Sequence, residues 1–213
     1  MHSLTGFADL YPFGGNMGRF DEMACACGTH PSAYTKAAIG WLDAAAIASH
    51  NSGTADYKLH SVGLVQPPPS GRVTAVRIGS KAPYLMVEAR KRVDQFDANI
   101  PSEGVIVYRV QTSDPLGNAQ NSIAPIELLT TTALTIGQTF TSSPGIKVAA
   151  TNAIPGGLTV HITSTVNPLC AGILQQIADI DALISEETEL QLVKQLRAKR
   201  NQLRKKGQQL GCL

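Results

Sequence analysis

The sequence is poor in charge. Only 16% of its 213 residues are Asp, Glu, Lys or Arg, below the quarter usual for an intracellular globular chain. No uninterrupted apolar stretch approaches the length needed to cross a bilayer as a helix, so no membrane span is expected. Aromatic residues are scarce and Trp41 is the only tryptophan. The net charge of +2 gives no nucleic-acid signal for the chain as a whole. The N-terminus, Met1-His-Ser-Leu-Thr-Gly, lacks the basic and apolar regions of a signal peptide. Cysteines number four, Cys25, Cys27, Cys170 and Cys212, which permits three full pairings.

Hydrophobic residues make up 43%, enough for one sizeable core or a few smaller ones. Ser32 is placed to cap a helix over 31–42, where Tyr34, Ala37, Ala38 and Trp41 recur at helical spacing. Residues 44–112 are strand-rich: Arg72-Val-Thr-Ala-Val-Arg-Ile alternates, and Tyr84-Leu-Met-Val-Glu and Val105-Ile-Val-Tyr-Arg-Val are short β-type runs. A second β segment holds strands at 134–140, 146–150 and 158–163, with turns at Ser142-Ser-Pro-Gly and Ile154-Pro-Gly-Gly. So few strands bury little apolar area alone, so this segment is expected to lean on the preceding one.

Beyond residue 167 the pattern becomes helical. Ile173, Leu174, Ile177, Ile180, Leu183 and Ile184 form one stripe, and Leu192, Val193, Leu196, Leu203 and Leu210 another. Ser185 or Thr188 would cap the second helix. Its early glutamates and late lysines and arginines complement the helix dipole. An antiparallel hairpin brings Cys170 and Cys212 together. A bridge closing about 40 residues would stabilise by roughly 4 kcal/mol and imply an oxidising compartment. Cys25 and Cys27 stand too close for an easy mutual bridge. They read as small residues packed in a turn, and no second pair completes a four-thiolate zinc site. The fold class expected is α+β in three parts: 1–120, a small β module at 121–166, and a helical hairpin at 167–213.

The chemistry-bearing motif lies at the N-terminus. In His2-Ser-Leu-Thr-Gly-Phe-Ala-Asp-Leu-Tyr, a histidine precedes a glycine that can leave a helix and an aspartate beyond it. Zinc peptidases of the extended H-E-x-x-H type arrange their second and third ligands in this way. The usual spacing is six residues; from His2 to Asp9 it is seven. Met23 follows at a distance suited to the methionine turn beneath such a site. Next come Pro31-Ser-Ala-Tyr-Thr-Lys-Ala-Ala-Ile-Gly-Trp-Leu, Tyr84-Leu-Met-Val-Glu-Ala-Arg and Phe96-Asp-Ala-Asn-Ile-Pro-Ser-Glu-Gly-Val-Ile-Val-Tyr.

These blocks, in this order over about residues 1–112, resemble the immune inhibitor A-type secreted zinc metallopeptidases. The resemblance implies a catalytic-domain C-terminal half with a β-rich continuation, zinc as cofactor, and a protein or peptide substrate. It implies zinc ligation by His2 and Asp9, packing under the site by Met23, and secretion. The family's first zinc histidine and its general-base glutamate would precede Met1, so an N-terminal half is expected to be missing. With an incomplete ligand set and no proton acceptor, the chain as given should not hydrolyse peptides. Ala8 stands where the family has Pro.

Glu88 and Arg90 read as polar residues on the outer face of a strand. His50, His60 and His161 show no ligand spacing, and His30 is the best placed of the remaining histidines to face a substrate. The alternative to a peptidase portion is a secreted, non-catalytic module that attaches to a cell surface through its β segment and basic hairpin. The seven Lys and Arg from residue 186 onward supply that basic face, although a solvated helix surface is the commoner explanation of such a run.

Overall fold

The computed structural model describes residues 10, 16–80, 82–111, 124–142, 145–165, 168–186 and 190–209. Among the described residues the chain is a mixed α+β protein with four α-helices and two sheets. Helices α1 (Glu22–Cys25) and α2 (Ala33–Ala38) precede the strands, and α3 (Pro168–Glu186) and α4 (Leu190–Gln209) follow them. The strands are β1 (Ile47–His50), β2 (Gly53–His60), β3 (Ala75–Ile78), β4 (Tyr84–Arg90), β5 (Gly104–Val110), β6 (Ile126–Leu128), β7 (Thr139–Ser142), β8 (Ile146–Ile154) and β9 (Gly157–Ser164).

The first sheet has the order β1-β3-β4-β5-β6, and the second β2-β9-β8-β7. Among the described strand pairs β1/β3 is parallel and the others are antiparallel. The first sheet is the middle layer. Met86, Ile106, Tyr108 and Val110 pack with Phe20, Met23, Ala33 and Leu42 on one face. Leu85, Val87, Ala89, Val105 and Val107 pack with Val148, Leu158, Val160 and Ile162 of the second sheet on the other. Because side chains alternate across a strand, β4 is covered on both sides, and its six residues Leu85–Arg90 are all buried. This double coverage, invisible in a seven-residue run, takes Glu88 and Arg90 off the solvent face assumed for them. Both have fully buried side chains.

The second β segment does lean on what precedes it. Strand β2 pairs with β9 along its whole length, from Gly53↔Ser164 to His60↔Gly157, so the second sheet takes one edge from residues before 61. Gly157 makes the close approach possible. A Cβ there would lie 1.8 Å from the Leu59 carbonyl oxygen, far inside contact distance, so only glycine fits. On the other side, β6 joins the first sheet.

The helix expected over 31–42 is shorter. Ser32 caps it as expected, its Oγ accepting from Thr35 N–H at 3.3 Å. The helix stops after Ala38 because Gly40 adopts φ +76° and the N–H groups of Trp41 and Leu42 turn back to the Lys36 carbonyl. This is the left-handed termination that glycine favours. Trp41 then falls beyond the helix and is 51% exposed. The C-terminal helices form a hairpin in which Arg200 Nη1 donates to Asp181 Oδ1 at 2.8 Å. Among the described residues Cys170, Ile173, Ile177, Ile180 and Val193 are its buried apolar side chains. Ser185 lies inside α3 and donates to the Ala182 carbonyl; Thr188 lies outside the described residues.

Candidate functional site

The strongest concentration of polar chemistry lies between the N-terminal helices and the first sheet. Asp21 begins it. As N-cap of α1 its Oδ1 accepts from Met23 N–H at 2.9 Å, and its Oδ2 accepts from Ser32 N–H and Thr35 Oγ1, both at 2.9 Å. One fully buried carboxylate thus caps α1 and ties the start of α2 to it.

Strand β4 brings the next two charges. Glu88 Oε2 accepts from Ala33 N–H and from Tyr108 Oη–H, both at 2.8 Å. Tyr108 Oη in turn accepts from Tyr34 N–H at 3.1 Å. Arg90 is the hub. Its Nη1 donates to the Phe20 carbonyl and to Glu88 Oε1. Its Nη2 donates to Asp97 Oδ1 at 2.6 Å and to the His30 carbonyl at 3.1 Å. Asp97 Oδ1 also accepts from His30 N–H at 3.1 Å. Arg90, Glu88 and Asp97 are all 0% exposed, so the bonds among these three side chains are not weakened by water.

A half-buried shoulder borders this cluster. His30 Nε2 lies 2.7 Å from Asp94 Oδ2, and its Nδ1 lies 3.4 Å from Lys36 Nζ. Lys36 Nζ also donates to the Val62 carbonyl at 2.7 Å. The ring of His30 meets Phe96 edge to face. Gly63 closes the shoulder, because a Cβ there would sit 2.6 Å from Asp97 Oδ2 and 2.9 Å from Val93 Cγ2.

Burial sets the electrostatics. It pushes the Glu88 carboxyl above its ordinary value, against the pull of Arg90 and the donors Ala33 and Tyr108. It pushes the Tyr108 phenol well up, and the neighbouring Glu88 adds to this. It lowers the Lys36 ammonium, and the Arg90 charge lowers it further. At Asp94 burial acts upward, but hydrogen bonds from Asp97 N–H, His30 and Phe96 N–H outweigh it and hold the carboxyl below the usual range.

Met23 lies in the N-terminal core at 2% exposure. Its carbonyl accepts from Leu10 N–H at 3.1 Å, so the residue that follows the His2–Asp9 motif is fastened to it. His2 and Asp9 themselves lie outside the described residues. Among the described residues no three His, Cys, Asp or Glu side chains come together to hold a metal. His50 pairs with Tyr57 Oη, His60 with the Val65 carbonyl, and His161 with Asp56; they do not share a site. An open depression of about 390 Å³ between Leu129–Leu134 and Gln138–Thr141 is lined by threonines, Gln138 and Phe140. It offers no ionisable group.

The cysteines depart from expectation. Cys25 and Cys27 form a disulfide with their Cα atoms 5.2 Å apart. Ala26 makes this possible by adopting φ +48°, ψ +41° at the end of α1. That left-handed turn carries Cys27 back beside Cys25, which an extended tripeptide could not do. The bridge adds little to folding. Closing so short a loop stabilises by about 1.5 kcal/mol in the chain-entropy model, and a left-handed alanine costs about 1–2 kcal/mol. Cys170 is buried and is itself disulfide-bonded; Cys212, its expected partner, lies outside the described residues.

Asp21, Lys36, Asp97 and Tyr108 were not singled out by the sequence. The usable signal was in β4: two opposite charges two residues apart share one face, and every other position in Leu85–Arg90 is apolar. Such a pair is more economically explained by mutual burial than by exposure.

No protein-family model matches the chain, and no curated protein or solved structure shows significant similarity to it.

Proposed function

We propose that the chain is the C-terminal portion of a secreted zinc-dependent endopeptidase of the immune inhibitor A type, inactive by itself. His2 and Asp9 are the zinc ligands it would contribute. Among the described residues no three His, Cys, Asp or Glu side chains gather to hold a metal, and the role we assign to those residues is position and rigidity. The observation that carries this reading is convergence. The block starting at Pro31 lies far in sequence from those starting at Tyr84 and Phe96, yet Ala33 N–H, Glu88, Arg90, Asp97 and Tyr108 meet in one dry network. That network holds the Phe20 carbonyl, α1 and hence Met23, to which Leu10 is fastened. In a parent enzyme such a clamp would fix the floor beneath the metal and its cleft, where small displacements are costly to rate.

The test is a casein assay on the purified chain with added zinc, alongside a zinc-binding titration of the chain and of its His2→Ala and Asp9→Ala variants. No chelator-sensitive cleavage is expected, with weak zinc binding that either substitution abolishes. Chelator-sensitive cleavage by the chain alone would sink the reading of inactivity. Zinc binding indifferent to both substitutions would sink the ligand assignment.

A second reading is a non-catalytic surface-attachment module, favoured by α4. Its 20 residues contain seven Lys or Arg and no Asp or Glu. Among the described residues Arg200 alone of the seven has an ion pair, and the other six are exposed. Retention on isolated cell wall that disappears with Lys205→Gln/Lys206→Gln would favour it.

A further inference from the structure

We infer that the Cys25–Cys27 bridge is a thiol–disulfide exchange site that reacts with a small-molecule or protein dithiol while the rest of the chain stays folded. Three observations converge on it. The first is access: Ala26 is exposed and both cysteines are only half-buried, on the rim of the charged cluster rather than inside it. The second is backbone conformation. Among the described residues Ala26 is the only non-glycine at positive φ, and it is the residue the bridge encloses. Ala26 also ends α1, its N–H donating to the Glu22 carbonyl at 2.9 Å, and opening the bridge removes the covalent constraint that adds to this bond in holding a conformation alanine rarely adopts.

The third observation is that both flanks are anchored without sulfur. Asp21 Oδ1 holds Met23 N–H. Glu22 Oε2 accepts from Thr29 N–H at 2.9 Å. Asn99 Nδ2 donates to the Cys27 carbonyl at 3.0 Å. Breaking the bridge therefore removes none of the bonds that place α1 and the following segment. A structural disulfide shows the opposite profile: it closes a long loop, is buried, and holds parts that otherwise separate. This bridge closes a loop with one intervening residue, so it contributes little to stability.

The reaction balances as an ordinary exchange. A thiolate of the dithiol attacks one Sγ, the Sγ–Sγ bond breaks, and the other cysteine leaves as a thiolate. A mixed disulfide links the reagent to the chain. The reagent's second thiol then attacks its own sulfur in that link, forming an intramolecular disulfide and releasing the second cysteine. Two electrons pass from the dithiol to the cysteine pair, and the two thiol protons of the dithiol end on Cys25 and Cys27. The site is independent of the metallopeptidase reading, since it uses neither His2, Asp9 nor the buried charges.

The experiment equilibrates the full chain in buffers of graded reduced to oxidised dithiothreitol. The reaction is quenched in acid, the free thiols are alkylated, and the peptides are read by mass spectrometry, with circular dichroism recorded throughout. The expected result is reversible interconversion of the Cys25–Cys27 peptide at unchanged circular dichroism, with Cys170 unlabelled over the same range. Ala26→Gly should shift the equilibrium roughly fivefold towards the bridged form, because glycine accepts the left-handed conformation. The inference fails if the pair is reduced only as the circular dichroism signal collapses, or no more readily than Cys170. It fails equally if Ala26→Gly folds normally and leaves the redox equilibrium where it was.

Discussion

Replacing Arg90 with methionine tests the buried cluster most directly. The side chains have similar reach, so the change removes charge and hydrogen bonds with little loss of volume. Four acceptors lose a donor at once: the Phe20 and His30 carbonyls, Glu88 Oε1 and Asp97 Oδ1. Two of them belong to carboxylates that are 0% exposed. Removing one partner from a buried ion pair costs roughly 3–5 kcal/mol, because the other charge is left uncompensated. For a chain of this length that corresponds to a fall in Tm of roughly 6–20 °C. Scanning calorimetry measures it.

The pH dependence gives a second handle. Arg90 is what chiefly opposes the upward push of burial on Glu88. Without it the folded-state value rises further above the unfolded one. Stability linked to a raised carboxyl is present at low pH and lost as pH rises through the folded value. The gap between wild type and Arg90→Met should therefore be wider at pH 8 than at pH 5. In a double-mutant cycle, Arg90→Met with Asp97→Asn should cost about 1–3 kcal/mol less than the sum of the single changes. A loss below about 1 kcal/mol with strict additivity would refute the hub role of Arg90.

Gly63→Ala should destabilise by about 1–3 kcal/mol, because its Cβ would press on Asp97 Oδ2 and Val93 in a packed site; urea unfolding checks this. Tyr108→Phe removes a donor from Glu88 and an acceptor from Tyr34 N–H, so about 1–3 kcal/mol should again be lost, with a broadened amide resonance for Tyr34. Asp94 is held below its ordinary value of 3.8, so the stability it adds is present above that pH and lost as pH falls through the lower folded value. Asp94→Asn should flatten the acid limb of the stability profile in that window. Cys170→Ser should lower the unfolding temperature of the helical hairpin, which far-ultraviolet circular dichroism melts would resolve; an unchanged melt would refute its expected clasp.

Much of the scaffold was legible because its signals are local. The strands at 75–78, 84–90, 104–110 and 157–164 announce themselves by alternation and β-branched content, and Ser32 marks its helix start through one side chain. The C-terminal stripes give the hairpin for the same reason. What escaped depends on contacts distant in sequence. Gly53-Thr-Ala-Asp-Tyr-Lys-Leu-His carries few apolar residues and becomes a strand only because β9 lies beside it. Glu88 and Arg90 look like surface residues until a second layer covers β4. The Cys25–Cys27 bridge depends on one backbone angle at Ala26, and nothing in the letters Cys-Ala-Cys specifies a left-handed alanine. The short α2 is set by the φ of Gly40, a helix stop that the periodicity of its neighbours concealed.

The pairing of β2 with β9 has a consequence for biosynthesis. A ribosome releases residues 53–60 long before residues 157–164, so that edge strand must wait for about a hundred later residues before it finds its partner. Until then Val76, Val87 and Val107, which end up between the sheets, have nothing to cover them. Nascent chains at that stage display a greasy strip to the cell, and synthesis rate and chaperone supply, more than final stability, should govern how much protein is recovered.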